Sequence, residues 1–450
     1  MATTAIPHDK QQARRAGIAA LVGTTLEWYD FLIYGTAAAL ILNELFFPNG
    51  DPLVGTLAAF ATYAVGFMAR PIGGIVLGNL GDRAGRKRML ILTITLMGVA
   101  TTLIGLLPSY DQVGFWAPVL LIGLRLLQGF AAGGEYAGAV VLSVEHGDQT
   151  RRGAAGAWAP TGFAVATLLS TGVFQLMLLL PDDAFRSWGW RVPFLLGALL
   201  LLVGYLIRRR IDETPAFEEA ERAEARGAVQ ATKTPVLAVL RKHPRSFLVV
   251  VGARFAENSF AYLFPVFGVA FAVNQLGIDR SFTLLAVVIA SAVQIVAVPL
   301  WAILSDRVGR RPVYAGGAIA SLLWLVPYFM LLETLSPVLI VIGFVVGLGV
   351  FYPAMLAPQA AYFAELFDTK TRLSGFAFAR ELGSVLAGGF LPLIATALLA
   401  WTGHWWAVAV YLAVLTTITL IALAFGPETR GQDIVTVSAA ENEPAGRVTG

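Results

Sequence analysis

Twelve apolar stretches dominate this sequence, each close to or longer than the roughly 20 helical residues needed to cross a bilayer core about 30 Å thick. They fall at 16–47, 53–79, 89–108, 114–144, 153–180, 190–207, 245–275, 281–304, 313–332, 337–365, 373–400 and 403–426. Lipid offers a bare peptide group no hydrogen-bond partner, so a segment that enters it must close its backbone bonds within itself, as an α-helix does. An all-α integral membrane protein with twelve transmembrane helices is expected. Composition agrees: 57% of residues are hydrophobic and only 14% charged, against about 25% charged in soluble domains. The first run is too long for a signal-peptide core and has no convincing cleavage site, so it reads as a retained helix.

The basic residues set the orientation. Of 32, 25 lie at the termini or in every second connection, including Arg83, Arg86, Lys87 and Arg88, the group between Arg208 and Arg245, and Arg307, Arg310 and Arg311. Both termini are therefore expected in the cytoplasm of a multi-pass protein of the inner cell membrane. Residues 208–244 are the one long polar interruption, with a charged stretch from Glu218 to Arg226 that suits a surface helix. The chain divides into a six-helix bundle over 1–207, a cytoplasmic linker over 208–244, a second six-helix bundle over 245–426 and a short tail over 427–450. The halves repeat. Gly81-Asp82-Arg83-Ala84-Gly85-Arg86-Lys87 returns as Ser305-Asp306-Arg307-Val308-Gly309-Arg310-Arg311, and Glu145 and Arg152 are echoed by Glu365 and Arg372. Internal repeats of this kind mark transporters that rock two bundles about a central site.

Six plus six helices, the duplicated loop, and Arg125-Leu126-Leu127-Gln128-Gly129 in the fourth run resemble the major facilitator superfamily over nearly the whole chain. Glu27-Trp28-Tyr29-Asp30-Phe31 with Tyr34-Gly35, and Ala69-Arg70-Pro71-Ile72-Gly73-Gly74, are similar to its metabolite:proton symporter family. The resemblance implies the major facilitator fold and carriage of a carboxylate such as 2-oxoglutarate, citrate or shikimate, or of proline and betaine. It also implies that Asp82, Arg83, Gly85 and Arg86, with their counterparts Asp306, Arg307, Gly309 and Arg310, latch the inner face.

Charges inside the apolar runs carry the chemistry, because a charge at mid-membrane costs at least about 2.5–3.5 kcal/mol unless it faces a cavity or a partner. They are Glu27 and Asp30 in the first run, Arg70 in the second, Arg125 and Glu135 in the fourth, Arg254 and Glu257 in the seventh, and Arg380 and Glu381 in the eleventh. Helical spacing puts Glu27, Asp30 and Tyr34 on one face and Arg254, Glu257 and Asn258 on another. Two carboxyl groups one turn apart oppose each other's ionisation, which suits one of them to take a proton. Asp30, Glu27, Glu135 and Glu257 are therefore the expected proton-coupling acids. Arg125, Arg254, Arg70, Arg380, Tyr34, Gln128 and Asn258 are the expected substrate ligands. In the empty site Asp30 is expected to neutralise Arg125 or Arg254, and its protonation frees the arginine for an anion. The partners expected are a small carboxylate or zwitterionic metabolite, protons and the lipid bilayer, with the chain acting as a monomer.

Small-residue spacings at Gly74–Gly78, Gly129–Gly133, Gly134–Gly138 and Gly343–Gly347 suit close helix packing. Pro160, Pro265, Pro299, Pro353, Pro358 and Pro392 suit bends. An enzyme in the membrane is the rival reading, but the four histidines, His8, His146, His243 and His404, lie in or beside polar segments and no metal or nucleotide motif appears. With no cysteine, thiolate metal sites and a cysteine nucleophile are excluded. No cofactor, metal or nucleic acid is expected. A sensor without transport is the remaining reading of another class. Within transporters the runner-up is a proline/betaine carrier, whose osmosensing form is disfavoured by a tail without heptads.

Overall fold

Residues whose backbones cannot find partners in lipid have folded here as helices alone. The computed structural model describes residues 10–48, 51–84, 86–133, 135–145, 151–209, 235–368 and 371–431, and among these no strand occurs. The main helices are α1 (Lys10–Leu40), α2 (Pro52–Ala84), α3 (Arg86–Leu106), α4 (Trp116–Ala132, resumed as Glu135–Glu145), α5 (Arg152–Met177) and α6 (Val192–Arg209). The second set is α7 (Pro244–Gln275), α8 (Arg280–Val308), α9 (Arg310–Glu333), α10 (Pro337–Glu365), α11 (Arg372–Thr402) and α12 (Trp406–Phe425). Among the described residues nine of them are long and apolar enough to cross a membrane by length and composition. The other three are α1, with Glu27 and Asp30 inside it, α3, apolar over Ile91–Leu106, and α6, which runs into Arg208 and Arg209. The expected surface helix at 218–226 lies outside the described residues. A short helix at Pro235–Lys242 leads into α7.

The two halves pack alike. In the first, α1 lies against α5, α2 against α4 and α3 against α6; in the second, α7 lies against α11, α8 against α10 and α9 against α12. The halves meet where α2 touches α11 and α5 touches α8. The outward surface is apolar, with Ile72, Trp116, Val296, Leu323 and Phe425 exposed, whereas Arg70, Arg125, Arg254 and Arg380 are among the largest fully buried side chains. A water-soluble protein would reverse this distribution. Burial covers 94% of the apolar window of α7 but 33% of that of α12, so α7 is central and α12 faces lipid.

Glycine sets the seam between α2 and α4. A Cβ on Gly129 would meet the Gly66 carbonyl, and one on Gly133 would meet backbone atoms of Arg70 and Gly74. A Cβ on Gly138 would meet nothing within 4 Å, and Gly134, the other glycine of that spacing, lies outside the described residues. In the second half, π-helical turns occupy Leu263–Gly268 and Phe271–Gln275 in α7, Val345–Phe351 in α10 and Val385–Gly389 in α11. The first contains Pro265, and those in α10 and α11 end two and three residues before Pro353 and Pro392, whereas Phe271–Gln275 has no proline beside it. A proline has no N–H to close the preceding turn, and a widened turn absorbs the mismatch.

Candidate functional site

The buried charges form three clusters in one layer of the bundle. The first joins the halves. Arg70 on α2 donates through Nε to Glu381 Oε2 on α11 (2.6 Å) and through Nη2 to Glu27 Oε1 on α1 (2.5 Å), and Arg380 Nη1 donates to Glu381 Oε1 (2.6 Å). Each guanidinium also lies over aromatic faces: Arg70 over Phe31 (4.7 Å) and Trp28 (5.5 Å), Arg380 over Tyr136 (3.8 Å) and Trp28 (5.7 Å). Charge and ring quadrupole together offset the loss of water.

The second cluster lies within the second half. Arg254 donates to Glu257, to Gln359 Oε1 on α10 (2.8 Å), to Asn258 Oδ1 (2.5 Å) and to Ser384 Oγ on α11 (2.8 Å), while the Tyr352 hydroxyl donates to Glu257 Oε1 (3.1 Å). Asn258 reaches α11 because the residue beside it there is Gly388, where a Cβ would collide with its amide.

The third cluster holds Arg125 and Asp30, and its geometry differs from the expected ion pair. Among the described residues neither group has an ion-pair partner. Arg125 donates to Gln128 Oε1, and Gln128 Nε2 in turn donates to the Thr101 hydroxyl (2.7 Å) and the Asp30 backbone carbonyl (3.5 Å). Tyr34 lies face-on to the Arg125 guanidinium at 4.0 Å and shares a hydrogen bond with Thr62. An amide can donate and accept at once, so Gln128 links Arg125 to Thr101 and to the Asp30 main chain, and its bond to Asp30 does not reach the carboxylate. Arg254, the other expected partner of Asp30, is taken by Glu257. Space for Arg125 comes from Gly66, whose Cβ would sit 2.6 Å from Nη2.

Between the first two clusters lies a chamber of about 10 Å³, lined by Trp28, Tyr136, Phe163, Glu257, Asn258, Tyr352 and Arg380 among others. At that volume it is too small for a metabolite, and hydrogen bonds join the halves on both sides of it. On the face of the repeated loops, Asp306 accepts from the amides of Gly153 (2.8 Å) and Ala154 (2.9 Å) at the start of α5. On the other face, Gln175 Nε2 donates to Ser281 (2.8 Å), Asn274 to the Ala39 carbonyl (3.4 Å) and Arg280 to Glu44 (3.5 Å).

Of the residues expected to latch the inner face, Asp306 bonds across the halves, Arg310 pairs with Asp306 (2.6 Å) and Glu365 (3.3 Å), and Gly309 adopts φ 117° where Glu428 packs against it. Arg307 is exposed and makes no ion pair among the described residues. Gly85 lies outside the described residues, as do the side chains of Asp82, Arg83 and Arg86. Glu135 lines a second cavity with Glu27 and Asp30. Sequence reasoning missed Gln359, Ser384, Thr101 and Glu428. Gln359 was discoverable, since an amide inside an apolar run carries the same signal as a charge there.

The family model described as "Sugar (and other) transporter" matches residues 16–238, and that described as "Major Facilitator Superfamily" matches 249–446. The shikimate transporter of Escherichia coli (strain K12) is 40% identical over 403 residues, covering 89% of this chain and 91% of that protein. The proline/betaine transporter of the same organism is 33% identical over 440 residues, covering 97% of this chain and 87% of that protein. The proton:xylose symporter XylE superposes with a TM-score of 0.74 at 16% identity, covering 96% of this chain and 99% of that one.

Proposed function

This chain belongs to the major facilitator superfamily, and from that premise we propose that it couples the uptake of a small organic acid of the shikimate kind to protons. It is a multi-pass membrane transporter and not an enzyme. The observation that carries the reading is the charge inventory of the buried layer: Glu27, Asp30, Glu135, Glu257 and Glu381 against Arg70, Arg125, Arg254 and Arg380. Three arginines are matched by Glu27, Glu257 and Glu381. An incoming carboxylate takes over one of these arginines, and the acid it displaces, or Asp30 beside Gln128, takes a proton. Either ligand alone leaves a buried surplus charge, and its desolvation opposes movement of the halves. Loaded together they keep the layer balanced. In this reading Asp30, Glu27, Glu135 and Glu257 exchange protons, while Arg70, Arg125, Arg254 and Arg380 hold the anion. Tyr34 and Gln128 position Arg125, and Asn258 bonds a substrate hydroxyl. The basic loops place both termini in the cytoplasm.

Aromatic faces favour an acid over a betaine. A trimethylammonium group is held by cation–π contact, but the rings of Trp28, Tyr136 and Phe31 already face the chain's own guanidiniums. The alternative, a proline/betaine carrier, draws on Glu257 and Arg380 lining one chamber, where they match the two ends of a zwitterion. The decisive assay is uptake of labelled shikimate, proline or betaine into proteoliposomes under an imposed pH gradient. Shikimate is expected to accumulate uphill, and Asp30→Asn and Glu27→Gln are expected to reduce that accumulation by about 100-fold, the scale of a lost proton-transfer group. Uphill accumulation surviving both substitutions refutes the coupling role.

A further inference from the structure

A second cavity, of about 20 Å³, lies on the other side of α1 from the chamber. Its walls are Leu26, Glu27 and Asp30 of α1, Ile94, Met97 and Gly98 of α3, Glu135 of α4 and Gly197 of α6. Trp28, one residue from Glu27, faces the chamber instead. Gly197 lies twelve residues before Arg209 at the end of α6, and Met97 eleven after Arg86 at the start of α3, so the cavity sits about 17 Å in from the basic-loop face. That is close to the middle of a core about 30 Å thick.

Two features mark this space as a place for water. A cavity of roughly 10–15 Å³ or more holds one water molecule when polar groups surround it, and three carboxylates line this one. Glu27 is fully buried, and its Oε2 has no hydrogen-bond partner, its Oε1 being held by Arg70. Among the five membrane acids, Asp30 and Glu135 keep the most accessible surface, 6% and 7%, against 0%, 1% and 3% for Glu27, Glu257 and Glu381. Of the other charged or polar groups near Asp30, Arg70 is held by Glu27 and Glu381, Arg125 by Gln128 and the Tyr29 hydroxyl by the Pro193 carbonyl, while Thr101, bonded to Gln128 and the Met97 carbonyl, also contacts the Asp30 carboxyl. Gly197 keeps the α6 wall of the space back, because a Cβ there would stand 2.9 Å from Thr101 Cγ2 and 3.6 Å from Asp30 Oδ1.

We propose that this cavity holds a water that relays the coupling proton between Glu135 and Asp30, so that the proton reaches Asp30 from the α3–α6 side of α1 and bypasses the substrate chamber. The O–H bond at protonated Glu135 breaks as the water accepts its proton, and the water passes one of its own to the Asp30 carboxylate. Two O–H bonds break, at Glu135 and at the water, and two form, at the water and at Asp30, so the water is regenerated and one proton is transferred in net. Separate routes let substrate and proton load without blocking each other. The inference rests on the coupling role given to Asp30 above, and the tests separate the two.

In the reconstituted full chain, Gly197→Ala, combined with Thr101→Ser to remove the methyl it would strike while keeping the hydroxyl that Gln128 bonds, adds a methyl group at the cavity wall, and neither residue lines the chamber. It is expected to slow pH-gradient-driven uptake of labelled shikimate about tenfold while shikimate exchange across the membrane stays within about twofold. Glu135→Gln is expected to abolish driven uptake, and Glu135→Asp to restore most of it. A second measurement needs no substrate: the infrared carbonyl band of protonated Asp30, assigned by its loss in Asp30→Asn, rises after an acid jump. In Gly197→Ala with Thr101→Ser that rise is expected to slow about tenfold. An unchanged rise, or equal losses of driven uptake and exchange, overturns the relay. If Asp30→Asn still accumulates shikimate uphill, the coupling role itself fails, whatever the cavity variants do.

Discussion

At the scale of single residues, one buried acid serves two guanidiniums where the halves meet. Glu381 answers both Arg70 and Arg380, so Glu381→Gln leaves two buried cations short of charge. Removing one partner of a buried pair costs about 3–5 kcal/mol, so a large drop in thermal midpoint is expected in detergent. Arg70→Gln on top of Glu381→Gln is expected to cost less than the sum of the two single changes, because the second removes a charge that the first had stranded. Additive losses contradict that coupling. Outside the membrane, Asp368 anchors the α10–α11 turn. Burial works to raise its carboxyl, but bonds from the Thr371 hydroxyl and amide and from His243 outweigh it and hold the group below the usual carboxylate range. A depressed folded-state value adds stability above the unfolded value of about 3.9 and loses it as pH falls through the folded one. The gap in thermal midpoint between wild type and Asp368→Asn is thus expected to persist at mildly acid pH and to shrink only below about pH 4. The sequence exposed which residues are charged and buried, because a charge in an apolar run is conspicuous. It did not expose their partners: Arg70 and Glu381 are 311 positions apart, and only the meeting of α2 with α11 brings them together. The Gln128 bridge was equally hidden, since an amide between Arg125 and Asp30 is a matter of side-chain direction.

Helices were the most readable elements, since bilayer thickness fixes their length. Where their axes change was less readable: the π-helical turns depend on how α7, α10 and α11 pack, although Pro265, Pro353 and Pro392 mark the neighbourhoods. The seam between α2 and α4 permits a sharp comparison. Gly129→Ala drives a methyl group into the Gly66 carbonyl, an overpacking that costs about 1–3 kcal/mol. Gly138→Ala meets nothing within 4 Å and replaces a helical glycine, so it is expected to gain about 0.5–1 kcal/mol. Opposite shifts in thermal midpoint are expected, and a shared sign refutes the seam.

For the whole molecule, the bonds at both rims describe a closed chamber. Asp306 holds the basic-loop rim through two backbone amides, a charge-assisted contact worth about 1.5–3 kcal/mol per bond when well formed. Asp306→Asn is expected to raise the fraction of molecules open on that face by about tenfold or more. Because the chain has no cysteine, a spin-label pair placed on engineered cysteines at the rim reports that fraction without background. An unchanged distance distribution removes Asp306 from the latch.

The Arg70–Glu381 contact lies deep in the layer, while the Asp306 and Gln175 contacts lie at the rims. If the halves swing by roughly 15°, a typical rigid-body rotation, a rim some 15 Å from the axis travels about 4 Å, whereas a point on the axis hardly moves. The arginine–glutamate pair is thus placed as the fulcrum of a lever, and the two rims are the arms, level in this structure, of which only one can lift at a time.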